Sequence, residues 1–159
     1  MHSIADIDPR EIERRRETVQ RVWNYRRVDH IPIGIWMDDF SRSTLREQCE
    51  DGLAQFEANV TCIERCLRCL PDDYIPYARV WPGYMTIGTM FGVPLHWSDD
   101  PAQAPGLALH PVTDMEQVRG LPLPDAECDG LMPHNLRWIR YFAEHFPPEV
   151  CLAGIDLGG

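Results

Sequence analysis

Leu53, Phe56, Val60, Ile63, Leu67 and Leu70 alternate three and four residues apart without a miss. That spacing is the repeat of one helix face. It predicts a helix from about Asp51 to Leu70, ended by Pro71-Asp72-Asp73. A stripe of this length must be covered by another layer of structure. Three candidate strands can supply it. His30 to Met37 is short and apolar on both sides, which predicts a strand buried in a parallel sheet, with Asp38, Asp39 and Arg42 following its carboxyl end. Tyr74 to Val80 is a second candidate, limited by Pro76. Val150 to Asp156 is the last.

The remaining chain fills in around these. Asp8-Pro9-Arg10-Glu11 predicts a capped helix start with a capping box, and helical spacing of Ile12, Val19, Val22, Trp23 and Arg26 carries the helix to about Arg27. Met85 to Phe91 predicts a short helix closed by Gly92. Val93–Trp97 and Leu107–His110 predict two edge strands around the proline-rich Asp99–Gly106 loop. Asp114 to Val118 predicts one helical turn. After a linker over 120–133, Leu136, Ile139, Ala143 and Phe146 predict another amphipathic helix. This alternation argues for an α/β chain with a parallel sheet: residues 1–30 as a helical extension, and 31–159 as strands and helices of one body. A buried parallel strand needs a returning helix and neighbours. The chain stops at Leu157-Gly158-Gly159, so a truncated or partnered sheet is expected.

Charge narrows the function classes. The net charge is −10, from 25 acids against 15 basic residues, and every basic residue is arginine. Residues 1–30 hold seven arginines against six acids, so 31–159 carry −11. Such a surface repels phosphate backbones and anionic lipids, which argues against nucleic-acid or membrane partners. Without lysine, neither a Schiff-base enzyme nor a Walker-type phosphate loop can be built. Met1 opens onto polar sequence without the pattern of a signal peptide, and no apolar run approaches a membrane span. A cytoplasmic protein is expected, with Cys49, Cys62, Cys66, Cys69, Cys128 and Cys151 as thiols or ligands rather than disulfides.

Several groups are candidates for chemistry. Cys62, Cys66 and Cys69 have a spacing similar to the cluster motif of radical S-adenosylmethionine enzymes, in which three thiolates hold an iron–sulfur cluster. Arg68 stands where that family has an aromatic, and the run lies inside the periodic helix, so thiols flanking a core stripe are the plainer account. Asp38, Asp39 and Arg42 follow the first candidate strand and Asp156 ends the last, the end at which α/β folds bind ligands. Arg42 is a fork for an anionic substrate. Tyr77, Arg79, Trp81 and Tyr84 form an aromatic and arginine group within Tyr74–Ser98, a stretch with no acid, suited to a flat or anionic ligand. The histidines show no metal-ligand spacing.

The segments "VWNYRRVDHIPIGIWM", "PDDYIPYARVW" with "FGVPLHW", "VTDMEQVRGLPLPD" and "EVCLAGIDLGG" resemble the amino-terminal half of the uroporphyrinogen decarboxylase superfamily, which includes cobalamin-dependent methyltransferases. The resemblance implies the first strands and helices of a (β/α)8 TIM-type barrel, incomplete in this chain, with its pocket at the carboxyl ends of the strands. It implies an anionic or tetrapyrrole-like small-molecule substrate oriented by Arg42; the reading of the residues adds Arg79, Trp81 and Tyr84 as substrate-binding, with Asp38 and Asp156 facing the pocket as catalytic residues. In the decarboxylases two arginines of a Met-Arg-Gln-Ala-Gly-Arg segment hold substrate carboxylates. Arg42 matches the second, but Asp38 replaces the first. The aspartate that would hold pyrrole N–H groups has no counterpart between Tyr74 and Ser98. These departures favour a methyltransferase-like or divergent member over a true decarboxylase, and in that branch zinc and a corrinoid partner are implied through residues of a second half. The alternatives are a catalytically silent half-barrel acting through a partner chain or as a homodimer, and an iron–sulfur protein using Cys62, Cys66 and Cys69.

Overall fold

The first helix starts where its cap is encoded. Asp8 accepts a hydrogen bond from the Arg10 backbone N–H at 3.0 Å and Pro9 occupies the first turn of α1 (Pro9–Trp23). Glu11 does not close the expected capping box. It pairs instead with Arg14 at 2.7 Å and Arg15 at 3.0 Å, and these hydrogen bonds hold its carboxyl down at about 2. The helix ends at Trp23, short of Arg27, because the chain turns at Tyr25 with a φ of 53°. Arg15 donates to the Tyr74 carbonyl at 2.8 Å, and Arg16 donates to the Glu149 carbonyl at 2.7 Å and faces the Cys151 sulfur at 3.3 Å. The charged face of α1 thus ties together the two segments that lead into the main pair of strands.

The computed structural model describes residue 4 and residues 7–36, 42–69, 72–81, 85–109 and 112–154. After α1 come α2 (Leu45–Glu50), α3 (Gly52–Cys69), β1 (Tyr77–Arg79), α4 (Thr86–Met90), β2 (Leu95–His96), β3 (Gly106–Leu107), α5 (Met115–Gly120), α6 (Met132–His145) and β4 (Cys151–Ala153). A capping box does occur, at α2, where Thr44 and Glu47 exchange side-chain and backbone hydrogen bonds. Asp51 ends α2, and its carboxylate receives the Leu53 N–H at 2.9 Å as α3 begins. Gly52 sits against the Trp138 ring so closely that a Cβ there would lie 1.9 Å from a ring carbon.

Two small sheets form among the described residues. β1 and β4 run parallel, with Tyr77 opposite Cys151 and Arg79 opposite Ala153, while β2 and β3 form an antiparallel ribbon. The core gathers Ile4, Phe56, Val60, Ile63, Ala78, Val80, Phe142, Phe146 and Val150 between α3, α6 and one face of the β1–β4 pair. Phe56 packs on Phe142 and Phe146 with ring centroids 5.3 and 4.5 Å apart. The apolar stripe of α3 is only partly core: Leu53 is exposed, and Gln55, Ala58 and Cys66 are buried beside Phe56, Val60 and Ile63. In α6 the buried face runs through Met132, Asn135 and Phe142; of the expected stripe, Phe146 is buried and Ile139 packs against the core, whereas Ala143 is exposed, a small shift of phase. Asn135 explains it, because its side-chain amide donates to the Thr86 hydroxyl at 3.3 Å and joins α6 to α4.

The incomplete TIM-type barrel expected from the sequence is not formed. The described structure is helix-rich, with one parallel pair and no set of parallel strands of the barrel kind. Two physical reasons are visible. Residues 31–36 form no ladder: the N–H groups of Ile33 and Ile35 go to the carboxylates of Asp73 and Asp72 at 3.1 and 2.7 Å. Ile31, Ile33 and Ile35, expected inside a sheet, are 81%, 61% and 44% exposed. The second reason is that the edge of β1 away from β4 is occupied by side chains of α3, which leaves no place there for a further strand. Among the described residues no helix is long and apolar enough to cross a membrane.

Phe142 is fully buried at the centre of the core. Phe142→Ala should lower unfolding stability by about 3–5 kcal/mol. Urea denaturation followed by circular dichroism would measure it, and a loss below ~1 kcal/mol would contradict the packing described.

Candidate functional site

A helix and a strand meet here through backbone-like hydrogen bonds made by side chains. Gln55 donates from Nε2 to the Trp81 carbonyl at 2.6 Å and accepts the Trp81 N–H on Oε1 at 3.1 Å. One turn on, Asn59 donates to the Arg79 carbonyl at 3.2 Å and accepts the Arg79 N–H at 3.0 Å. The match is geometric. Residues four apart on a helix rise about 6 Å, and residues two apart on a strand rise about 6.6 Å. Two amides at that spacing therefore serve as the missing neighbour strand.

Holding the backbone in this way fixes the directions of the side chains. Along β1 and its continuation, Ala78 and Val80 are buried in the core, and the alternation turns Tyr77, Arg79 and Trp81 to the opposite face. Trp36 joins them from the segment 31–36. The Arg79 guanidinium lies over the Trp36 ring at 4.7 Å and over the Trp81 ring at 5.4 Å, and Trp36 meets Tyr77 at 5.7 Å between ring centroids. Cys49 lies at the edge of this group, with its thiol 3.8 Å from the Trp81 carbonyl and pushed up to about 11 by burial and by Glu50. It is accordingly a poor nucleophile.

The structure brings together Arg79 and Trp81 of the expected substrate-binding residues. Arg42 lies elsewhere, at an open groove of about 700 Å³ along α2 and α3 that is lined also by Glu47, Glu50, Asp51, Glu57 and Arg65. Asp38, Tyr84 and Asp156 fall outside the described residues. Trp36, Gln55 and Asn59 were not expected as site residues. The signal for the amides was available as a polar pair four apart on a helix whose neighbours are apolar. For Trp36 there was only its position at the end of an apolar run.

Cys62, Cys66 and Cys69 all lie on α3, where Cys66 is fully buried, Cys62 half-buried and Cys69 exposed. Among the described residues no group of three or more His, Cys, Asp or Glu side chains is placed to hold a metal ion. Chemically, the Trp36–Arg79–Trp81 face offers one cation, two indole faces and a backbone fixed from behind.

Removing either amide strands a backbone donor and acceptor. Gln55→Leu or Asn59→Leu should each cost about 1–3 kcal/mol, and amide exchange at Trp81 or Arg79 respectively should accelerate. Unchanged exchange at both positions would show that the side chains do not carry the strand edge. Comparison with protein-family models, with curated proteins and with solved structures finds no match to this chain.

Proposed function

We propose that the chain is a substrate-binding portion of a uroporphyrinogen decarboxylase-like enzyme, nearer to the methyltransferase-like or divergent members than to a true decarboxylase, and that Trp36, Arg79 and Trp81 bind a flat, anionic small molecule. The observation that carries the reading is the Arg79 guanidinium set over two indole rings at the carboxyl end of a parallel strand. Ligands of open α/β sheets bind at that end of the strands. Indole faces supply area for a planar ring system, and the guanidinium supplies a fork for a carboxylate.

Two further points support it. The segments that carry the resemblance, "PDDYIPYARVW" and "EVCLAGIDLGG", contain the two strands that pair, Tyr77–Arg79 and Cys151–Ala153. Arg79 also lies in the acid-free stretch from Tyr74 to Ser98 of a chain with net charge −10, so its own segment brings no acid to this face. The role assigned to these residues is binding and orientation.

The test is titration with uroporphyrin and with 2-naphthoate, followed by tryptophan fluorescence, against the neutral control 2-naphthalenemethanol. Naphthoate should bind more tightly than the alcohol. Arg79→Gln should weaken naphthoate about tenfold or more, leaving the alcohol little changed, and Trp36→Ala should weaken both. Equal affinity of wild type and Arg79→Gln for naphthoate would overturn the assignment. Uroporphyrin bound much more weakly than naphthoate would set aside the tetrapyrrole class and keep the flat anion.

A further inference from the structure

Residues 31–36, which end at Trp36, are held against residues 72–74 by a backbone hydrogen bond, two carboxylates and a histidine. The Asp73 N–H donates to the Ile33 carbonyl at 2.8 Å, and the Asp73 carboxylate accepts the Ile33 N–H at 3.1 Å. The same carboxylate takes both oxygens to within 3.1 Å of His30 Nε2, with the nearer at 3.0 Å. Asp72 takes the Ile35 N–H at 2.7 Å. Ile31, Ile33 and Ile35 contribute little apolar packing to this attachment, since all three are exposed. Up to Ile35 the segment is therefore fastened chiefly by charge and hydrogen bonds, and Trp36 at its end packs on Tyr77 and beneath Arg79.

We infer that the His30–Asp73 pair is a proton-operated latch on the ligand face, which holds Trp36 over Arg79 when His30 is charged and loosens that hold when it is neutral. The inference rests on the reading of the Trp36–Arg79–Trp81 face as a ligand site. The charged groups around the latch are few. Asp29, on the same segment, faces His30 Nδ1 at 3.4 Å, and Asp72 lies beside Asp73. From α1 the nearby charges are Arg14, paired to Glu11, and Arg15, which holds the Tyr74 carbonyl.

The direction of the pH dependence follows from these neighbours. The Asp73 hydrogen bond and charge, with a smaller contribution from Asp29, raise the His30 imidazole above its ordinary value of 6.5. For Asp73, burial alone would raise the carboxyl, but the His30 hydrogen bond, the Ile33 N–H and the charges of His30 and Arg14 outweigh it and bring the group below its ordinary value. A raised imidazole contributes stability that is complete below its unfolded value and is lost as pH rises through its folded value. A lowered carboxyl contributes stability above its unfolded value that is lost as pH falls through its folded one. The latch is thus strongest between the lowered value of Asp73 and the raised value of His30, and it weakens as pH rises through the latter.

Nuclear magnetic resonance of the ligand-free chain tests this directly. The His30 ring should titrate above 6.5, and the Trp36 indole N–H, assigned by its absence in Trp36→Phe, should shift with the same midpoint. In His30→Gln the Trp36 response should vanish; in Asp73→Asn the His30 midpoint should fall back. Binding of 2-naphthoate should weaken about fivefold between mildly acidic and mildly alkaline solution in wild type, and stay level in His30→Gln. A Trp36 signal that ignores the titration of His30 in wild type, or keeps its response in His30→Gln, overturns the latch. The wild-type measurement decides the matter even if a variant fails to fold. If naphthoate does not bind at any pH, the ligand reading falls while the Trp36 signal still decides the latch. If it binds with a level affinity and Trp36 is silent, the latch falls and the ligand reading stands.

Discussion

Everything around the candidate site depends on the two amides of α3 that complete the edge of β1. A parallel strand with one partner presents a row of unpaired donors and acceptors on its other side, and leaving these buried without partners is costly. Gln55 and Asn59 close that row at Trp81 and Arg79. Because they project from the helix that also carries Phe56, Val60 and Ile63, one element covers the face of the strand with hydrocarbon and its edge with amide. A two-stranded parallel pair, too small to persist alone, is stabilised by this double contact. The same contact limits it. An edge satisfied by side chains offers no ladder to another strand, so the sheet does not grow toward a barrel.

The sequence disclosed periodicity and punctuation better than it disclosed pairing. The α3 helix, the Asp8 cap, the Gly92 turn with its φ of 78°, the Leu95–Leu107 ribbon and the helix after residue 131 all lie close to where local patterns put them. What local patterns could not show is which polar groups would be buried as partners. Gln55 interrupts an apolar run and is buried because a distant backbone takes both ends of its amide, while Asn135 is buried with its amide N–H donating to the Thr86 hydroxyl. The run from His30 to Met37 misled for the converse reason. Its isoleucines are what a buried strand requires, but Asp72 and Asp73 took the N–H groups that a ladder would have used.

The candidate site was legible to a similar degree. Arg79 and Trp81 stood out as a cationic and aromatic group on an acid-free stretch, and they meet in the structure. Their third partner, Trp36, lies more than forty residues away in sequence, and only the folding of segment 31–36 onto residues 72–74 brings it near. Arg42 was grouped with them by its place after a candidate strand, but the described residues 31–36 of that candidate pair into no sheet, and the arginine opens onto the groove of α2 and α3 instead. A residue's position relative to a strand end predicts its neighbours only when the strand exists.

The pairing of β1 with β4 joins residues nearly half the chain apart, whereas the bonds from Gln55 to Trp81 span 26 residues. Closing the longer loop costs more chain entropy and brings its reward later. The helix and β1 are therefore the natural first unit to form, with β4 arriving last, and local opening reverses that order. Each such opening also parts Arg16 from the Glu149 carbonyl and the Cys151 sulfur, so the strand that arrives last is the one that the first helix fastens.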